Sequence, residues 1–144
     1  MREIVFETDF FTGDNHNRSL KGTLFLMEAL VTLNKLYLKE HPECPNLYEF
    51  GVIYVPEFGT ENWQTIPRCL KNKYGDCEDL ACWRIAELRE RAKIKARPVI
   101  KSRMVGRQFR MHALVGWPNG QIEDPSRALG MTDWSSLMQY IYAD

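Results

Sequence analysis

The chain has 144 residues, enough for one domain and too few for two of ordinary size. Apolar residues make up 44% and charged residues 26%, a globular composition that excludes a disordered chain. Nineteen basic and nineteen acidic side chains cancel, so neither nucleic acid nor a membrane is expected as a partner, and no apolar run approaches the ~18 residues of a membrane span.

The start, Met1-Arg2-Glu3-Ile4-Val5-Phe6-Glu7, carries acids where a signal peptide would be apolar, which leads to the expectation of a cytoplasmic protein. Four cysteines (44, 69, 77 and 82) are too few for a disulfide scaffold of this length and fit a reducing compartment. The charge is unevenly spread. Residues 1–62 hold 10 acids and 5 bases, whereas residues 84–110 hold 10 bases and 2 acids. The basic stretch is read as a solvated face packed near the acidic N-terminal half.

In chain order, Arg2 to Thr8 reads as a strand and 12–17 as a loop. Ser19 is the expected cap of a long helix to about Leu38, with Leu20, Leu24, Met27, Leu30, Val31 and Leu33 forming a broad apolar face that implies a mostly buried helix. Leu47 to Val55 is a strand candidate. Pro56 to Asn62 is a loop. A short helix is predicted over Ile66–Asn72, capped by Thr65 with Pro67 in its first turn. A second strong helix runs from Cys77 to about Ala92, its stripe Cys77, Ala81, Ile85, Leu88 and Ala92. Strands follow at Arg97–Val105, Phe109–Trp117 and Gln121–Asp124. Thr132 begins a closing helix with Trp134, Leu137, Met138 and Ile141 on one face. This order is an α+β layout in a single domain, 1–144: an N-terminal part to residue 59, a core over 60–126 and the closing helix over 127–144.

Cys77 falls at a helix start, directly after Gly75-Asp76. The dipole and free backbone N–H groups there favour thiolate, the nucleophilic form. His112 lies in the apolar strand Met111-His112-Ala113-Leu114-Val115. Pro118-Asn119-Gly120 suits a three-residue hairpin loop, which sets Val115 opposite Glu123 and brings His112 and Asp124 diagonally onto one face, within side-chain reach. A carboxylate there would fix the imidazole tautomer. If the Cys77 helix packs on that hairpin, thiol, imidazole and acid converge as a nucleophilic site. Asp76, Glu78 and Asp79 are read as cap and first-turn acids rather than calcium ligands, and Cys69, Cys77 and Cys82 lack the spacing of a zinc site. No metal and no cofactor is expected.

The block Tyr74-Gly75-Asp76-Cys77-Glu78-Asp79-Leu80-Ala81, with Trp63-Gln64-Thr65-Ile66-Pro67-Arg68-Cys69-Leu70 before it and Met111-His112-Ala113-Leu114-Val115 and Glu123-Asp124-Pro125-Ser126 after it, resembles the transglutaminase-like cysteine peptidase superfamily, in particular its small bacterial and phage-type members. The resemblance spans about residues 60–126. It implies a papain-like α+β core with Cys77 as nucleophile, His112 as general acid and base, and Asp124 as orienter. It also implies an oxyanion donor just upstream, for which the Gln64 amide is preferred to the Trp63 indole, beside the Cys77 backbone N–H. The implied activity is hydrolysis of a peptide or protein amide, or acyl transfer, through a thioester. The competing reading is a non-catalytic phage or bacterial assembly module that keeps the fold for binding, virion-associated if phage-encoded.

Overall fold

The computed structural model describes residues 16–57, 62–105 and 108–132. Helix α1 spans His16–Glu40, strand β1 Ile53–Tyr54, helix α2 Ile66–Asn72, strand β2 Tyr74–Gly75 and helix α3 Cys77–Glu90. Strands β3 (Arg97–Val105), β4 (Gln108–Gly116) and β5 (Ile122–Glu123) follow, then the single turn α4 (Pro125–Ala128). The arrangement is α+β, as the sequence pattern implies. The expected Arg2–Thr8 strand and the helix after Thr132 lie outside the described residues.

Helix α3 is the centre of the fold. Leu80, Ala81, Cys82, Trp83, Ile85, Ala86 and Leu88 are all buried, so apolar contact surrounds the helix rather than following one stripe. Helix α1 packs along it and contributes Met27, Leu30, Val31 and Leu38 to the same core, while Ala113 and Val115 of β4 close the other side. Of the predicted stripe of α3 only Ala92 falls out, beyond the helix end and exposed.

Three sequence expectations change. Helix α1 already includes His16, so Ser19 lies inside it and is not its cap. The helix is not buried all round: Phe25, Leu33 and Leu36 face outward, and two polar residues, Thr23 and Asn34, share the buried side. The expected strand 47–55 is broken into a 3-10 turn at Leu47–Glu49, a bend at Gly51 with φ of 87°, and the two-residue β1. Glycine at a left-handed φ ends extended backbone, which the Val- and Tyr-rich composition alone did not reveal.

Two short sheets frame α3. Strand β1 pairs in parallel with β2, Ile53 opposite Tyr74 and Tyr54 opposite Gly75. The backbone N–H of Tyr54 also donates to the Leu129 carbonyl at 2.9 Å, tying β1 to the turn after α4. The larger sheet is antiparallel, in the order β3-β4-β5. The loop at 118–120 is the one predicted. Trp117 N–H donates to the Gln121 carbonyl at 2.9 Å, Gly120 has φ of 89°, and Val115 stands opposite Glu123.

Asn34 connects α1 to α2. Its Oδ1 accepts from the Ile66 backbone N–H at 2.9 Å, in a fully buried position at the first turn of α2. The Thr65 side chain, placed at the cap, makes no cap hydrogen bond, so Asn34 serves that end from another helix. Asn34→Ala should therefore lower the unfolding free energy by about 1–3 kcal/mol, because a buried donor loses its partner. Urea denaturation checks this, and an unchanged midpoint would refute it.

Candidate functional site

Cys77 is the first residue of α3 and is wholly buried. The helix begins there because Asp76 and Asp79 form a reciprocal cap. The Asp76 carboxylate accepts from the Asp79 backbone N–H at 3.4 Å, and Asp79 Oδ2 accepts from the Asp76 N–H at 3.2 Å. Close packing requires glycine just upstream: a Cβ on Gly75 would stand 3.0 Å from Asp79 Cβ and 3.1 Å from a Leu80 methyl.

The cap and first-turn acids stand where the sequence puts them, but they are not solvated. Asp76, Glu78 and Asp79 are all buried. Burial, then the neighbouring Glu78 and Asp79 carboxyls and a hydrogen bond to Glu78, pushes the Asp76 carboxyl well above the usual carboxylate range. Burial also raises Asp79, but donors from Gln64 and Asp76 limit the rise to about 6.

Gln64, the expected oxyanion donor, is engaged elsewhere. Its Nε2 donates to the Tyr74 carbonyl and to Asp79 Oδ2, both at 3.1 Å, and its Oε1 accepts from Asn72 at 2.6 Å. Both amide hydrogens are committed inside the protein, so Gln64 braces Asp79 instead of offering a donor to an incoming group. Trp63 is partly buried against the core.

His112 and Asp124 are brought together. His112 Nε2 lies 2.9 Å from Asp124 Oδ2, with both side chains partly exposed. The hairpin register produces this contact, because it sets β4 and β5 in the pairing that makes residues 112 and 124 diagonal neighbours. Burial would raise the Asp124 carboxyl, but the hydrogen bond and charge of His112 and the Arg127 backbone N–H outweigh it and hold it below its ordinary value. Asp124 also caps α4, its Oδ1 accepting from that N–H at 3.2 Å. The aspartate-proline pair at 124–125 was a legible signal for this turn. Helix α3, which begins with Cys77, packs against β4, which carries His112.

The other cysteines, like Cys77, are buried in the core. Cys82 Sγ points to the Met27 carbonyl at 3.6 Å and Cys44 Sγ to the Pro45 carbonyl at 3.4 Å, while Cys69 is fully buried. Burial pushes all three thiols up. Among the described residues no group of three His, Cys, Asp or Glu side chains is arranged to hold a metal ion, and no helix is long and apolar enough to cross a membrane.

The sequence reading missed a polar cluster next to the dyad. Glu123 Oε2 accepts from Tyr48 Oη at 2.6 Å and Arg84 Nε at 2.7 Å, and its Oε1 from Trp117 Nε1 at 3.2 Å. Arg84 also donates to Glu87 at 2.9 Å and stacks over the Tyr48 ring, 5.1 Å from its centroid. The register itself held the signal, since it sets Glu123 opposite the core residue Val115, where an acid needs partners.

The basic stretch packs on the N-terminal half, but partly through half-buried arginines rather than as a wholly solvated face. Arg89 grips Glu28 through two N–H groups at 2.8 and 2.9 Å, and Arg91 donates to Asn46 at 2.6 Å, so two of its arginines bind the N-terminal half directly. The chain matches no family model, no curated protein and no solved structure.

The raised Asp76 carboxyl has a measurable consequence. An acid that keeps its proton in the folded state above its unfolded pKa contributes stability fully at low pH, and that contribution is lost as pH rises toward the folded value. Asn is a neutral near-isostere that still caps a helix. Asp76→Asn should thus become progressively more stable than the parent as pH rises above the ordinary aspartate value of about 4, by at most about 1.4 kcal/mol per pH unit. Denaturant titrations at a series of pH values measure the gap, and a gap that stays constant or narrows would contradict the assignment.

Proposed function

We propose that this chain is a cysteine-dependent amide hydrolase or acyl transferase with a papain-like, transglutaminase-like core, working through Cys77, His112 and Asp124. The observation that carries the reading is the 2.9 Å pairing of His112 Nε2 with Asp124, on a strand packed against the helix that Cys77 opens. An imidazole fixed at one nitrogen by a carboxylate has the other free for proton transfer, as nucleophilic catalysis by a thiol needs.

The steps follow from that division. Asp124 holds Nε2, so Nδ1 exchanges the reacting proton. Nδ1 takes the proton of the Cys77 thiol as Sγ attacks the substrate carbonyl, and the carbonyl π pair moves to oxygen. In this reading the Cys77 backbone N–H at the helix start donates to that oxyanion. Collapse breaks the C–N bond, the amine leaves with the proton from Nδ1, and a thioester remains on Sγ. Water then attacks the thioester while Nδ1 takes its proton. The thiolate departs and is reprotonated, releasing a carboxylic acid. An amine in place of water gives the transamidated product.

The upward shift of the Asp76 carboxyl agrees with this reading, since it favours the neutral form and so lessens the negative charge that would oppose a thiolate next to it.

The test is turnover of a panel of peptide aminocoumarin amides, with circular dichroism as a folding control. Folded Cys77→Ala should lose all turnover. His112→Ala should lose about 10²–10⁴-fold, the usual contribution of a general acid–base group, and Asp124→Asn should lose less, because it acts through His112. Full turnover in folded Cys77→Ala would eliminate the thioester mechanism. Iodoacetamide at limiting concentration should label Cys77 ahead of Cys44, Cys69 and Cys82, and earlier labelling of any of those three would remove Cys77 as nucleophile.

A further inference from the structure

We infer that Glu123, gripped by Arg84 and Tyr48, is a positioning residue that holds Asp124 in line with His112 and locks the acid-bearing strand to the helix that Cys77 opens. Its catalytic meaning rests on the Cys–His–Asp reading above.

The need for such a device lies in β5. The strand is two residues long and joins β4 through only two residue pairs, Val115 with Glu123 and Gly116 with Ile122. So short a strand has little hold of its own on its position. Asp124 is the next residue, and its Oδ2 must stay at 2.9 Å from His112 Nε2 for the imidazole to be held. A displacement of a fraction of an ångström at β5 is transmitted directly to that contact.

The Glu123 side chain supplies the missing hold. Both of its oxygens accept, from three elements at once: Tyr48 in the 3-10 turn, Trp117 at the hairpin base, and Arg84 of α3 through Nε at 2.7 Å and Nη2 at 3.4 Å. Arg84 lies seven residues, two helical turns, beyond Cys77, on the same face of α3. It is braced in turn by Glu87, whose other oxygen accepts from the Leu47 backbone N–H at 2.9 Å. One rigid path therefore runs from α3 through Arg84 and Glu123 to Asp124. The guanidinium spans two carboxylates, a task its planar fork performs and a lysine would not. The hydrogen bonds of Arg84 and Tyr48 hold Glu123 ionised despite burial, so the clamp is charged at neutral pH.

The Asp124 carboxyl reports on the clamp. The titratable and charged groups against Asp124 are His112 and Arg127, whose Nε lies 4.0 Å away, with Lys101 opposite His112 in the ladder and Glu123 adjacent in sequence. Glu123→Gln removes a neighbouring negative charge, and by Coulomb's law alone that lowers the Asp124 midpoint. Loss of position instead weakens the His112 contact and raises it. The two explanations thus differ in sign. Tyr48→Phe deletes one donor to Glu123 at an exposed ring and removes no charge.

The experiment is a carboxyl ¹³C NMR titration of Asp124 in the full chain, for the parent, Glu123→Gln, Tyr48→Phe and Arg84→Lys, with amide spectra as the folding control. The inference expects the midpoint to rise in all three variants. An unmoved or lowered midpoint in folded Glu123→Gln overturns it. If that variant does not fold, an unmoved midpoint in Tyr48→Phe overturns it equally. Iodoacetamide labelling of Cys77 at pH 7 separates this from the functional reading. If Asp124→Asn leaves labelling unchanged, the triad fails while the titration still decides the clamp. If Asp124→Asn slows labelling and Glu123→Gln does not, the triad stands and the clamp fails.

Discussion

The carboxylate of Asp79 holds the middle of this molecule together. It accepts from the Gln64 backbone N–H at 2.6 Å, from the Gln64 amide and from the Asp76 N–H, so one buried side chain fastens the entry to α2 and the start of α3. Gln64 extends the hold to the Tyr74 carbonyl in β2 and to Asn72 at the end of α2. A buried acid is tolerated only where its lone pairs are filled, and here they are filled by the chain turns that must be ordered for Cys77 to open a helix. Remove that carboxylate, and the 62–77 segment loses the centre around which it folds.

Helix α3 consequently passes through two electrostatic environments. At its first turn, carboxyl groups crowd one another away from water, and protonation relieves part of the repulsion at Asp76. Two turns on, Arg84 stands between Glu87 and Glu123 and the charges are compensated by pairing. The last turn is anchored by Arg89 on Glu28 and on the Ala96 carbonyl. The net basicity of residues 84–110 is therefore spent in part inside the protein. In the described structure Lys93, Lys95, Arg97 and Lys101 remain exposed.

The dyad at His112 and Asp124 differs from the acids around Cys77 in exposure and in origin. The acids owe their positions to a helix cap built from residues close in sequence. The dyad depends on a hairpin and is partly open to solvent, which suits groups that must meet a substrate.

Much of this was legible in the amino-acid order because its causes are local. The bounds of α2 and the start of α3 follow from a proline in the first turn and an aspartate cap, and the reach from His112 to Asp124 follows from a three-residue loop ending in glycine at φ of 89°. These signals act within a few residues, so the sequence alone determined them. It could not determine which polar side chain meets which across the core. Gln64 has the chemistry of an oxyanion donor, and only the packing of β2 against α3 directed its amide to Tyr74 and Asp79. Nothing along the chain marks Asn34 of α1 as the partner of Ile66, 32 residues away. Glu123 became the junction of three elements because Arg84, 39 residues earlier, and Tyr48, 75 residues earlier, converge on it. Backbone periodicity and turns are decided by neighbours along the chain, whereas partners for buried polar groups are decided by whatever the folded chain brings within 3 Å, and that required the tertiary structure.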